Sequence, residues 1–472
     1  MLFLGAGAQP EPTHTIVVGL GFGDEAKGAT VDFLAASGRY SAVVRFNGGA
    51  QAAHNVVASG VHHTFRQFGS GTFSQTPTYL SRHVRIDPWR LAGESEKLAR
   101  LGIDNPLRLI TASPDALIVT PIHVAANRTR EEFRGKRNHG SCGLGIGETT
   151  WYDLAAHKGL QRGDTLYGIE ALAPITAAAV RVGDCADPGT LKVKLAALAQ
   201  FYAPLLALGE HRHPTIDEIT DGLVEFGHTI PAVTDRSYLA AAAASGPLLF
   251  EGAQGVLLDE WRGFHPHTTW STTLPAAAQQ LLAHAGQPPA RVLGVTRTYT
   301  TRHGAGPLPT EDTSLVKQLP EPDNGDGVYQ GSWRTGHLDA VLLRLSAQLC
   351  RRHGGLHAVA VTHLDSLEGA AGCVQIARRY QGVGDPFPLG SYQDLAHQEN
   401  LTAAALAAVP VLDPLDPARV LDELAAATRA PVTLTATGPG RSDRQEQPVS
   451  SATLGAACPG GAAYSGPSSA AG

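Results

Sequence analysis

Between residues 15 and 441, short β-branched runs alternate with stretches whose apolar positions recur at helical spacing. Thr15 to Val18 reads as a strand, followed by a glycine-rich turn. Ala26 to Ala36 suits a helix, and Ala42 to Phe46 a second strand. Val124 to Phe133 and Leu191 to Tyr202 carry the helical period. The second of these is expected to stop before Pro204, because a proline pushes the preceding residue out of the α region. Pro247 to Phe250 and Arg291 to Tyr299 read as strands, and Leu338 to Arg352 as a helix with Gly354 and Gly355 past its end. Ala358 to Thr362 is strand-like, Leu421 to Thr428 helical, and Val432 to Thr435 a last strand. This alternation predicts an α/β fold, a mostly parallel central sheet covered by helices. Ligands are then expected beyond the C-terminal ends of the strands, where the glycine-rich segments fall.

The flanks look different. Residues 1–14 read as a loose tail, and residues 442–472 are rich in Ala, Gly, Ser and Pro, bury little and are expected to be disordered. That leaves residues 15–441 as one folded domain. The net charge of -6 gives no general reason to expect nucleic acid or an anionic membrane as partner. An anionic ligand would have to be held by local features. Five widely spaced cysteines with no CxxC pair argue against a disulfide framework or structural zinc site and fit a reducing compartment. The first residues lack a basic n-region, and no run approaches the roughly 20 apolar residues that span a bilayer. A cytoplasmic location is expected.

Three segments following strands carry candidate chemistry. Gly19-Leu-Gly-Phe-Gly-Asp-Glu-Ala-Lys-Gly28 joins a strand to a helix. Its glycines allow close backbone approach to a phosphate, and the helix start offers free N–H groups. Lys27 adds positive charge, and Asp24 suits a base or a Mg²⁺ ligand. This is not a Walker A sequence, which disfavours a GTPase switch. Arg45-Phe-Asn-Gly-Gly-Ala-Gln-Ala-Ala-His-Asn55 is a polar loop with one histidine, and Phe250-Glu-Gly-Ala-Gln-Gly255 places Gln254, both donor and acceptor, after a strand.

Together these segments resemble the adenylosuccinate synthetase family, which reads Gly-Asp-Glu-Gly-Lys-Gly, Asn-Ala-Gly-His and Phe-Glu-Gly-Ala-Gln-Gly at the three places. Further likenesses follow in order: Gly140 to Gly147, Thr301 to Glu311, Arg334 to Asp339, Thr362 to Asp365 and Ala436 to Pro439. The resemblance implies a GTP-dependent ligase that phosphorylates the 6-oxo group of IMP or an analogue and lets an amine, aspartate in the family, displace the phosphate. It implies Mg²⁺ as cofactor and a homodimer. Asp24 matches the catalytic base and a Mg²⁺ ligand, with Ala53 beside it in the metal set. His54 matches the acid against the migrating phosphoryl group, and Gln254 the group that orients the purine edge. Gly23, Glu25, Lys27, Gly28 and His54 match the GTP phosphate site. Asp365 matches the carboxylate that reads guanine, with Thr437, Gly438 and Pro439 covering the base. Gln51, Ser141, Cys142, Lys158, Thr269 and His303, with Asp24 and Gln254, match the purine-nucleotide site, Lys158 lying in the region where the family has a cross-subunit arginine.

The chain also departs from the family. The arginine-rich loop that grips aspartate is here Val328-Tyr-Gln-Gly-Ser-Trp-Arg-Thr-Gly336, where only Arg334 survives. Gly331 and Trp333 stand where arginines are expected, and Tyr329 adds a second aromatic. Each lost charged hydrogen bond costs about 1.5–3 kcal/mol. Either Arg302, Arg334 or Arg351 supplies the charge, or the amine donor differs, as in a divergent paralogue. Cys142 replaces a threonine, Gln51 an asparagine, His303 a small aliphatic residue and His363 a lysine. A non-catalytic nucleotide-binding protein is the remaining alternative, disfavoured by the intact Asp24, His54 and Gln254.

Overall fold

A computed structural model describes residues 13–135, 141–321, 324–325, 329–370, 372–382 and 387–448. Its frame is a nine-stranded sheet. In chain order the strands are β1 (Thr15–Gly19), β2 (Ala42–Arg45), β3 (Thr78–Leu80), β4 (Ile110–Ala112), β5 (Leu248–Gly255), β6 (Arg291–Arg297), β7 (Ala358–Thr362), β8 (Val432–Ala436) and β9 (Arg444–Glu446). Their order across the sheet is β9-β8-β7-β6-β1-β5-β2-β3-β4. Every pairing is parallel except β8 with β9.

The central strands are apolar along their whole length because both faces are covered. Ile16, Val18, Val44, Phe250 and Val292 enter one large core, while Val17, Val43, Leu249 and Leu293 face the other side, against Val31 and Leu34 of helix α1 (Lys27–Ala35). A second core gathers helices α2 (Pro121–Arg134), α3 (Ile146–Lys158) and α4 (Pro188–Leu206) beside the β3–β4 edge. The α/β fold read from the sequence is the observed one.

Boundaries differ from expectation at several places. Helix α4 runs through Pro204 to Leu206 instead of stopping before it. Leu205 and Leu206 are buried in the second core, and that packing holds the last turn in place against the proline's local preference. At the other end, order does not stop at 441. Arg444 to Glu446 add β9 to the sheet. Arg441 makes two hydrogen bonds to the buried Asp32 of α1, at 2.8 and 2.6 Å. His14, assigned to the N-terminal tail, is buried, and its Nδ1 accepts a hydrogen bond from Leu248 N at 2.9 Å. Residues 1–12 and 449–472 lie outside the described residues.

Candidate active site

The loops after β1, β2, β5, β7 and β8 all leave the C-terminal ends of parallel strands. In the first loop the Glu25 carboxylate turns inward. It accepts hydrogen bonds from Gly21 N and Gly23 N, both at 2.9 Å, and from Lys27 Nζ at 2.6 Å. A Cβ on Gly19 or Gly21 would collide with this carboxylate. The glycines therefore make room for a buried acid as well as for a turn. Asp24 and Ala26 hold φ of 62° and 66°. Such left-handed backbone costs a non-glycine residue about 1–2 kcal/mol. Asp24 is half-buried, and its Oδ2 stands 3.8 Å from Nε2 of His303.

Gly28 starts α1 directly against His54: a Cβ there would meet the Cα and Cβ of His54 and Oγ of Ser70. His54 Nδ1 lies 2.5 Å from Oε1 of Glu251 on β5. Glu251 also accepts from Ser70 N at 2.9 Å and Ser70 Oγ at 2.5 Å. Burial pushes this carboxylate up, but Arg45, His54 and Ser70 overcome it and hold it down at about 2. Burial lowers His54, so its ring rests neutral with Nδ1–H donated to Glu251 and Nε2 left for a ligand. Glu251 was not singled out from the sequence. Its signal was present, since an acid in the apolar run Leu248-Leu249-Phe250-Glu251 must be buried and must have a partner.

Beyond lies a cavity of about 380 Å³ whose walls include Gln51, Ser141, Cys142, Gln254, Thr269 and His303. Both amide atoms of Gln51 and of Gln254 are buried without a partner, as is Nδ1 of His303. Buried polar atoms are seldom left unpaired, so these await a ligand. Gln254 holds φ of 57° and lies against Gly48, whose own φ is 72°. Burial raises the Cys142 thiol, which stays protonated. Lys158 is exposed at the end of α3 and does not line this cavity.

The surviving arginine of the loop is spoken for. Trp333–Gly336 pairs with Thr300–His303, setting Trp333 opposite His303 and Arg334 opposite Arg302. The Arg334 guanidinium binds both carboxylate oxygens of Glu311 and the carbonyls of Gly304 and Gly306, at 2.9 and 2.8 Å. Arg302 donates to the carbonyls of Ala305, Pro307 and His267. Arg351 donates to the Thr428 carbonyl of the helix Val420–Thr428. Arg302 and Arg334 are thus held by the chain itself, while the exposed Arg351 gives it one such bond. The Trp333 ring stacks edge-on against His303 at 4.6 Å, with Nε1 buried and unpaired. Tyr329 lies over Gly143, Gly331 is exposed with φ of 92°, and Val328 lies outside the described residues.

At the other side of the phosphate loop, Asp365 is exposed just past β7, and Thr437 to Pro439 just past its neighbour β8. Arg444 donates to the carbonyls of Pro439 and Gly440, and Asp443 accepts from Gly440 N at 2.7 Å. The residues beyond 441 thus hold the Pro439–Gly440 segment in place. Among the described residues no cluster of three or more His, Cys, Asp or Glu could hold a metal ion. Asp24, half-buried, offers a hard carboxylate oxygen of the kind Mg²⁺ takes, and Ala53 is exposed.

A buried phosphate-type loop, a carboxylate beside it, a neutral histidine tied to a buried acid and a polar cavity define an α/β enzyme of phosphoryl-transfer type. Comparison with known proteins narrows this. The adenylosuccinate synthetase family model matches residues 16–444. An adenylosuccinate synthetase of Neisseria meningitidis serogroup C is 32% identical over 392 residues, 80% of this chain and 84% of that protein. One of Bordetella pertussis is 31% identical over 448 residues, 91% and 96% of the two chains. Among solved structures, the fully ligated adenylosuccinate synthetase of Plasmodium falciparum superposes with a TM-score of 0.74 at 18% identity, covering 92% of this chain and all of that one. The succinoaminodeoxyadenylate synthetase PurZ of cyanophage S-2L, bound to dGMP and dATP as energy donor, gives 0.54 at 19% identity, covering 93% and 97%. The chain belongs to the adenylosuccinate synthetase family and is a C–N bond-forming ligase. Among the described residues no helix is long and apolar enough to cross a membrane.

Proposed function

We propose that this enzyme uses GTP to phosphorylate the 6-oxo group of IMP or a close analogue, and that an amine then displaces the phosphate. The observations that carry the reading are a cavity lined by Gln254 and His303, Asp24 at 3.8 Å from His303, and the His54–Glu251 pair packed against Gly28 at the start of α1. Gln254 pairs with the purine edge through its orphaned amide. Asp24 takes the N1 proton, which builds negative charge on O6. His54 Nε2 faces the migrating phosphoryl group, while Glu251 holds the ring in one tautomer and steadies positive charge as it develops. Lys27 and the loop amides neutralise phosphate oxygens. Mg²⁺, held by Asp24 and the Ala53 carbonyl, would offset charge on the phosphates. Asp365 accepts from guanine under the cover of residues 437–439. Catalysis in the cytoplasm by a homodimer, with Lys158 of a second copy reaching the nucleotide phosphate, completes the reading.

The family's amine is aspartate. A second reading, a different amine, is favoured by one observation: Arg334 and Arg302 are consumed by Glu311 and backbone carbonyls, and Trp333 presents an aromatic face. The test is phosphate release from GTP with IMP, against aspartate and a panel of other amines. Release with aspartate at ordinary affinity establishes adenylosuccinate synthesis, and release only with another amine establishes the second reading. Silence with every amine and purine sinks both.

A further inference from the structure

Leu258 to Trp261 runs beside Thr269 to Ser271: Thr269 N donates to Leu258 O at 2.8 Å, and Glu260 N to Ser271 O at 3.4 Å. Two neighbouring acids on this stretch have opposite surroundings. Asp259 accepts from Thr273 N, Trp261 N and Thr272 Oγ1, at 2.8, 3.0 and 3.2 Å. The Glu260 carboxylate, by contrast, has no hydrogen bond and no ion pair within 4 Å among the described residues, yet it lines the large cavity. Burial drives it up to about 7, and the charge of Arg85 works the other way. The carboxylate is only partly shielded from water, and Arg85 offsets part of the cost of its burial without bonding to it.

The walls around it are aromatic. Tyr167, Trp261 and Trp270 line the same cavity. The Tyr167 ring meets Trp261 edge-on at 5.0 Å and Trp270 at 6.2 Å. Tyr167 occupies the first position of the two-residue turn between Thr165–Leu166 and Ile169–Glu170, with φ of 52°. That position favours Asn, Asp or Gly, so a bulky tyrosine is there at the cost of backbone strain. An unpaired carboxylate among aromatic faces is the chemistry that receives an organic cation.

We propose that the cavity end formed by Glu260, Tyr167, Trp261 and Trp270 is a subsite for a small organic cation, an ammonium or guanidinium group. Thr269, which pairs with Leu258 beside Glu260, belongs to the purine-nucleotide site implied by the family resemblance, and the subsite rests on that reading only for its coupling to the nucleotide phosphate. A cation there stands between two anions, the carboxylate and the phosphate, so each ligand strengthens the binding of the other.

The full chain would be titrated with tetramethylammonium and with methylguanidinium, followed by ligand-observed NMR, with and without IMP. Tert-butanol serves as a neutral control of similar size. The expected result is saturable binding of a cation but not of the control. Binding should tighten at least fivefold with IMP and weaken at least tenfold in Glu260→Gln, a variant that breaks no hydrogen bond and should melt like the parent. Trp261→Ala should weaken it as well. Absence of cation binding, or binding indifferent to Glu260→Gln, overturns the proposal. So does binding that emerges only with Lys158→Ala, because the lysine of a second copy would then fill the subsite. Cation binding that depends on Glu260 stands even if no purine supports phosphate release. Purine turnover without any cation binding sinks the subsite and leaves the function intact.

Discussion

The two ends of the site are built on opposite plans. Around the phosphate loop the charged groups find partners within the chain: Glu25 with Lys27 and two loop amides, His54 with Glu251, Glu251 with Ser70. In the neighbouring cavity, Gln51, Gln254 and Nδ1 of His303 are buried and unpaired, as is Nε1 of Trp333 packed behind His303. The first end is assembled before any ligand arrives, while the second is completed only by one. Removing a group from the first should harm both folding and chemistry. Removing one from the second should spare the fold and change only what is bound.

The largest effect expected is that of Asp24→Asn. Phosphate release should fall by about 10³-fold, the scale of a lost general base, with purine binding kept. A variant that kept more than a tenth of the parental rate would remove Asp24 from the chemistry. Glu251→Gln should come next and should act on two readouts. Breaking a buried charged network costs about 3–5 kcal/mol, measurable by urea unfolding. Turnover should drop by about 10²-fold as His54 loses its orientation. The parent's carboxylate is held at about 2, below the ordinary carboxylate range. Its contribution is therefore complete above the unfolded value and lost as pH falls toward 2. Glu251→Gln should accordingly flatten the acid side of the stability curve between about pH 5 and 2.

Arg334 tests the border between the two plans. If its guanidinium is a strut for the loop, Glu311→Gln should raise the KM for the amine about tenfold, as Arg334→Ala does, and the double variant should be no worse than either single one. Additive losses would mean that Arg334 reaches the donor itself. The smallest effect is expected of Gln51→Ala: about a fivefold rise in the KM for the purine, with kcat and melting temperature unchanged. An unpaired buried amide contributes nothing to the empty protein, so a large loss of stability would contradict the comparison.

What could be read from the sequence follows the same division. The strands at Thr15, Arg291 and Ala358 announce themselves, because a strand buried on both faces is an unbroken apolar run. The loops after them are marked by glycine, and the resemblance drew on those loops. Pro204 misled because tertiary packing outweighed a local preference. The end of the fold was set too early because Arg441, Asp443 and Arg444 look like the start of a polar tail until Asp32, the Gly440 amide and the Pro439 carbonyl are seen opposite them. Partnerships across long stretches of chain were the least legible. Glu311 and Arg334 both stand in recognised segments, but that one consumes the other depends on how two loops meet.

The order of strands sets a timetable for the chain's birth. β1 leaves the ribosome long before its partners, yet it ends between β5 and β6, with Thr15 opposite Leu249 and Arg291. Its first neighbour is roughly 230 residues downstream, which at about 5–20 residues per second means a wait of roughly 10–50 s. For that time Ile16, Val17 and Val18 have no sheet to join. Nascent chains stalled before residue 248 should be a ready client for a chaperone that binds short apolar segments, and chains released after β6 should not.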